Sequence, residues 1–229
     1  MKSTVAAVSV GNGVWRIINA VLSANSYVCA TGTGGDCFLV DPGSERDVIQ
    51  DLLDAEGLTP RHIVLTHGHF DHCGSAAYFR TRYQCEVRLH LDDIKLLKAS
   101  NFLMMAFKIP FTLEVPDVEG WRELSLGVPG GAIEFIHSPG HTPGSSVIRY
   151  GRAAFTGDTL FTSGMGLSRL PGEDSGQLRA TLLRLLDTLA PDTIVYPGHG
   201  EPAAFVGVRQ DNAALRAFLG EAATAPGRH

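Results

Sequence analysis

Short apolar runs broken by turn residues open the chain. Val14 to Ala20 and Ser26 to Thr31 have strand composition, and the buried-type run Cys37 to Val40 stops at Asp41-Pro42-Gly43. Glu45 to Glu56 then carries a helical period, with Ser44 and Asp47 placed as a helix start and Gly57 as its stop. His62 to Thr66 reads as a short strand, Ser75 to Tyr83 as a helix, Val87 to His90 as a strand and Asp92 to Ser100 as another helix. Phe102 to Phe107 is almost unbroken apolar sequence without a clean helical stripe. The second half repeats the theme. It has strands at Ala132 to Ser138, Ser145 to Tyr150, Ala153 to Thr156 and Thr193 to Tyr196, and helices at Gln177 to Leu189 and Gln210 to Leu219. This alternation predicts the α/β class, and with no linker rich in Pro, Gly or Ser, one domain spanning 1–229 is expected.

Composition narrows the partners. The net charge is -5 over 229 residues, and no run of Lys or Arg provides the electrostatic footprint of a nucleic-acid binder. No stretch has the length and apolarity of a membrane span, and the first ten residues lack a signal-peptide pattern, so a cytoplasmic location is expected. Cys29, Cys37, Cys73 and Cys85 form no CxxC pair and are expected as small buried residues, with Cys73, next to His72, a candidate for supporting the site.

Chemistry concentrates between Thr66 and Gly74, where the chain reads Thr-His-Gly-His-Phe-Asp-His-Cys-Gly. Imidazole and carboxylate are donors that a borderline cation such as zinc prefers. In extended backbone His67 and His69 point the same way and can share one ion. A helical curl after them displaces Asp71 and His72 enough to serve another. The cluster follows the His62 to Thr66 strand, and α/β sheets place ligands at strand C-terminal ends.

Three later strands end in the same manner. His141 lies in Ser138-Pro139-Gly140-His141-Thr142-Pro143-Gly144, Asp158 in Thr156-Gly157-Asp158-Thr159, and His199 in Tyr196-Pro197-Gly198-His199-Gly200. With the first cluster, these residues resemble the metallo-β-lactamase superfamily. Gly-His-Thr-Pro-Gly and Thr-Gly-Asp-Thr-Leu-Phe look most like its glyoxalase II type branch. The resemblance implies an αββα sandwich of two mixed β-sheets flanked by helices, with two divalent metal ions at one edge. By that resemblance His67, His69 and His141 would hold one ion, Asp71, His72 and His199 the other, and Asp158 would bridge them. Zinc is the expected metal, and the same donors suit iron and manganese.

Paired cations lower the pKa of a shared water towards neutrality, so hydrolysis of a thioester or ester is the expected reaction, with Asp71 the candidate catalytic acid-base residue. A lactonase or β-lactamase would use the same ligands. A persulfide dioxygenase with a single iron would use only residues matching His67, His141 and Asp158. Relatives of the glyoxalase II branch carry Gly-Arg-Thr-Asp where this chain has Gly166-Leu167-Ser168-Arg169, so contacts made there do not carry over. The stretch after His199 also lacks the helical domain that binds glutathione in full glyoxalase II, so specificity for a glutathione thioester does not carry over. The substrate is expected to be a small molecule, with Met104, Met105 and the Phe102 to Phe111 segment selecting an apolar acyl group or forming a homodimer surface. Met165 follows Asp158 in the loop. Asp41 is a candidate supporting acid or a turn residue, whereas His62, His90 and His137 are expected at strand ends or on the surface.

Overall fold

The structure, a computed structural model, describes residues 5–109, 112–122, 124–167, 170 and 172–220. Its strands form two mixed sheets. The first joins β1 (Val8–Gly11), β2 (Val14–Ile18), β3 (Asn25–Thr31), β4 (Asp36–Val40), β5 (Thr59–Val64), β6 (Glu86–His90) and β7 (Glu119–Trp121) in sequence order. β1 to β4 pair antiparallel, and β4 to β7 pair parallel. The second sheet contains β8 (Leu124–Val128), β9 (Gly131–His137), β10 (Ser146–Tyr150), β11 (Ala153–Gly157), β12 (Ile194–Pro197) and β13 (Ala203–Ala204), lying in reverse order from β13 to β8. Only β11 and β12 run parallel there.

Side-chain alternation makes the layers. On β3 and β4, Tyr27, Cys29, Phe38 and Val40 face the other sheet, meeting Phe135, Ile148, Phe155 and Tyr196. The intervening Val28, Cys37 and Leu39 turn outward against helices. That outer layer comprises α1 (Arg46–Glu56), α2 (Ala76–Tyr83), α3 (Ile94–Lys98) and α4 (Ser100–Ala106). Helix α1 presents Ile49, Leu52 and Leu53, an i, i+3, i+4 stripe whose full burial contributes about 1.5–3 kcal/mol per side chain. Across the molecule α5 (Ser175–Thr188), α6 (Phe205–Asp211) and α7 (Ala213–Leu219) cover the second sheet with Leu178, Leu182, Leu185, Phe205, Val208 and Leu215. The αββα sandwich expected from the sequence is the fold observed.

Several local expectations change. Ser44 does not start α1: the helix begins at Arg46 without a side-chain cap, and the Ser44 hydroxyl instead bonds the Glu45 carboxylate. Asp92 to Ser100 is broken into a 3-10 turn, α3 and then α4, which takes in the apolar run. Gln210 to Leu219 is split at Asn212, whose side chain accepts from the Leu215 N–H and caps α7. Strands β7 and β13, of three and two residues, are too short to show a period, whereas β1 (Val-Ser-Val-Gly) and β8 (Leu-Ser-Leu-Gly-Val) alternate and are additions to the expected set. All four cysteines are free and buried. Pro110, Phe111, Ser168, Arg169 and His229 lie outside the described residues. Among the described residues no helix is long and apolar enough to cross a membrane.

Candidate metal centre

Strands β4, β5, β9, β11 and β12 all deliver their C-terminal ends to one edge of the sandwich. The two sheets are tied there by backbone: Ser146 N–H donates to the Thr66 carbonyl at 2.8 Å, and Asn25 N–H to the Gly198 carbonyl at 2.7 Å. The loops that follow these strands carry His67, His69, Asp71, His72, His141, Asp158 and His199. All seven side chains come together.

His69 is extended, with φ −75° and ψ 148°, and the chain then curls into a 3-10 turn at Phe70–His72. This switch sorts the donors. His69 Nδ1 lies 3.1 Å from His67 Nε2 and 3.1 Å from His141 Nε2, a buried triad of nitrogens. Three nitrogens each about 2.0–2.1 Å from a common zinc would stand at nearly this spacing. Beyond the turn Asp71, His72 and His199 form another triad, with Asp71 Oδ2 3.5 Å from His72 Nε2 and 3.6 Å from His199 Nε2. Asp158 lies between the triads. Its Oδ1 is 3.6 Å from His72 Nε2, and its Oδ2 is 3.6 Å from His141 Nε2 and 3.4 Å from His199 Nε2.

The electrostatics call for a cation. Burial, reinforced by His72 and His69, holds His67 well below the ordinary imidazole range, and burial with His141 takes His69 down to about 3. These rings are neutral donors. Burial also opposes charge on His72, yet Asp71, Asp158 and Asp41 outweigh it and raise that ring to about 10. Asp158, which burial alone would raise, is pulled well below the usual carboxylate range, first by His72. Buried carboxylates therefore gather compensating positive charge, which a divalent ion supplies. His72 Nε2 and Asp158 Oδ1 are buried without a hydrogen-bond partner, as atoms reserved for metal ligation would be. The donor set fits divalent metal.

Supporting groups fix the donors. Asp41 Oδ2 receives His72 Nδ1 at 3.0 Å and the Thr66 hydroxyl at 2.6 Å, while Thr66 Oγ1 is 3.0 Å from His67 Nδ1. Asp41 is thus a supporting acid, and its φ of 48° also makes it the turn residue after β4. The His199 loop is clamped from the first sheet. Arg16 donates to the Gly200 carbonyl at 2.9 Å, Asn25 to the carbonyls of Pro197 and Gly200 at 2.9 and 2.8 Å, and Tyr27 to that of Pro197 at 2.7 Å. Arg16 and Tyr27 gave no sequence signal beyond strand membership, and Asn25, which begins β3, lies just outside the expected Ser26 to Thr31 strand. Cys73 is fully buried, bonds the His69 carbonyl at 3.3 Å, and burial drives its thiol well above the ordinary range.

A further group, His90, Asp92 and His137, lies apart from these triads. His90 ends β6, as one of the two expectations had it, but is buried and not on the surface, and its ring stacks on His137 with centroids 4.0 Å apart and planes 5° from parallel. An ion must lie close to the plane of each ring that ligates it. Parallel stacked rings cannot share one, so the pair reads as packing. Met104 is buried in the helix-covered core and does not join Met105, which is exposed, while Met165 packs against the α5 side.

Known proteins resemble this arrangement along most of the chain. A Bacillus subtilis protein described as probable metallo-hydrolase YqgX is 32% identical over 203 residues, covering 86% of this chain and 94% of that one. A hydroxyacylglutathione hydrolase from Anaeromyxobacter dehalogenans is 34% identical over 203 residues, 86% of this chain and 71% of that one. The crystal structure of TTHA1623 in a di-iron-bound form superposes with a TM-score of 0.76 at 33% identity, covering 86% of this chain and 98% of that chain. Residues 19–199 match the metallo-β-lactamase superfamily, and with the sandwich and the edge-mounted histidine and aspartate clusters the chain belongs to that superfamily.

Proposed function

We propose that the protein is a dinuclear metallo-hydrolase that cleaves a thioester or ester bond. The observation that carries this reading is Asp158, whose two oxygens stand 3.4 to 3.6 Å from donors of both triads. His67, His69 and His141 would hold one ion, Asp71, His72 and His199 the other, and Asp158 would link them. Bound there, the pair supplies a water acidic enough to be hydroxide near neutral pH, together with Lewis-acid polarisation of the carbonyl. Zinc is the proposed metal. Iron and manganese share its preference for these donors, and the similar TTHA1623 was crystallised with two irons.

The chain's own contribution is placement and proton handling. Asp71, as a ligand beside the water, would orient it and shuttle its proton. The site opens on the His199 side, where that ring is 28% exposed against 0–2% for His67, His72 and His141. Apolar side chains flank the edge. Leu22 is exposed on the hairpin whose Ala24 pairs with His199, and Phe102, Met105 and Phe107 are exposed on and just after α4. The Phe107 ring lies 6.1 Å from that of Phe70, inside the ligand turn. These residues support a small substrate carrying an apolar acyl group.

A mononuclear iron dioxygenase would leave the triad of Asp71, His72 and His199 without a role, and this favours the hydrolase. The test is elemental analysis of the purified chain followed by turnover of thioesters, esters, lactones and β-lactams, with His67→Ala as control. Two metals per chain and preferred thioester or ester turnover is the expected result. Preferred lactone or β-lactam turnover would reassign the substrate, and one iron with oxygen uptake on a persulfide would overturn the hydrolase.

A further inference from the structure

We infer that Asp93, at the junction of β6 and α3, is the positioning residue that assembles the triad of His67, His69 and His141. This rests on the metal reading above. Those three ligands come from different sheets, His67 and His69 from the loop after β5 and His141 from the loop after β9. Asp93 joins the loops directly. Its Oδ2 accepts the Gly68 N–H at 2.9 Å and the Thr142 hydroxyl at 2.7 Å, and its Oδ1 accepts the Gly144 N–H at 2.7 Å. Gly68 sits between the first two ligands, and Thr142 follows the third.

The surroundings are built for this carboxylate. Asp93 is fully buried. Ser145 Oγ accepts the Thr142 N–H at 3.0 Å and lies 2.7 Å from Thr142 Oγ1, so donation by Ser145 leaves the threonine hydrogen for Asp93. Both glycines are needed for the approach: a Cβ at Gly68 would stand 2.9 Å from the Asp93 carbonyl, and one at Gly144 would stand 2.6 Å from its carboxyl carbon. All three partners donate. An amide at this position has one acceptor oxygen and one NH2, so either orientation turns the NH2 against a backbone N–H.

The test is Asp93→Asn in the full chain, titrated with zinc against a competing chelator, with anomalous scattering from crystals assigning each zinc to a triad. The zinc on His67, His69 and His141 should bind at least about tenfold more weakly, while the other changes by less than about threefold. Thr142→Val should weaken the same zinc by a smaller factor, and Thr142→Ser should restore it. Equal weakening of both zincs, or unchanged zinc binding with a lower unfolding midpoint, would reduce Asp93 to a structural residue. If Asp93→Asn does not fold, Thr142→Val decides, and unchanged binding there overturns the inference. A wild-type chain that takes up no zinc sinks the metal reading and this inference together. A variant indistinguishable from wild type sinks the inference alone.

Discussion

Asp41 Oδ2 lies 3.0 Å from His72 Nδ1, and both side chains are almost fully buried. A carboxylate only accepts, so Nδ1 carries a proton; Asp71 and Asp158 hold a second proton on Nε2, and a bound cation would take its place and receive the Nε2 lone pair. The same oxygen takes the Thr66 hydroxyl, which meets His67 Nδ1. One carboxylate therefore orients a ring in each triad.

Asp41→Asn isolates this effect, because Asn tolerates the left-handed backbone that Asp41 adopts at φ 48°. An amide nitrogen facing His72 would favour the tautomer protonated at Nε2, which cannot bind metal. The variant should fold and should lose metal affinity or activity by about 10 to 100-fold. Zinc titration with a far-ultraviolet spectrum of the same sample checks it, and wild-type affinity would show that Asp41 only shapes the turn.

Gly198 gives a sharper prediction. A Cβ there would lie 2.1 Å from Asp158 Oδ1 and 2.9 Å from His72 Cε1. The backbone has no room to step aside, since Gly198 N–H donates to the Gly157 carbonyl at 2.8 Å and its own carbonyl accepts from Asn25 at 2.7 Å. Gly198→Ala should cost about 1–3 kcal/mol of stability. Activity should fall at least about 100-fold, because the displaced side chain is the one that links the triads. Urea unfolding alongside hydrolysis rates separates the two effects, and an active variant would remove Asp158 from its linking role.

The contrast between such residues and the ligands explains what the sequence discloses. Histidines and aspartates at four strand ends announce themselves because few structural roles need those residue types between glycines and prolines. Asp93 does not. Preceded by Asp92 and followed by Ile94 and Leu97, it reads as an acid in a helix first turn, and only the fold shows loops of both sheets converging on it. Helix α4 was hidden for another reason: Phe102 and Met105 are exposed although apolar, so the run Phe102 to Phe107 shows no polar face. The three-residue strand β7 depends on its neighbour β6 more than on its own composition.

That same helix divides the two adjacent methionines. Met104 is 2% exposed and Met105 67%. Met104→Ala should cost about 2–5 kcal/mol through the cavity it leaves, with no selective effect on substrate. Met105→Ala and Phe102→Ala should stay within about 0.5 kcal/mol of wild type in stability. If the apolar edge holds an acyl group, they should lower kcat/KM for long-chain thioesters by roughly tenfold relative to short ones, at about 1–3 kcal/mol for lost apolar contact. Unchanged chain-length preference in the double variant would remove this surface from substrate binding.

Acid sensitivity should trace in part to His90, away from the metal donors. Burial lowers this imidazole to about 4, and stacking on His137 adds repulsion, with Arg122 acting the same way and Asp92 opposing. In the unfolded chain a histidine titrates near 6.5. Between pH 6.5 and 4 the unfolded state therefore binds a proton that the folded state refuses, so stability is full above this window and drains away as pH falls through it. His90→Phe keeps a ring against Trp121 and His137 while removing the titration. It should flatten the decline in unfolding free energy between pH 7 and pH 4.5 by on the order of 2 kcal/mol, less than the full shift because the Asp92 side of the stack is open to solvent. Parallel wild-type and variant curves in chelator, where metal loss cannot contribute, would exclude His90 as the source.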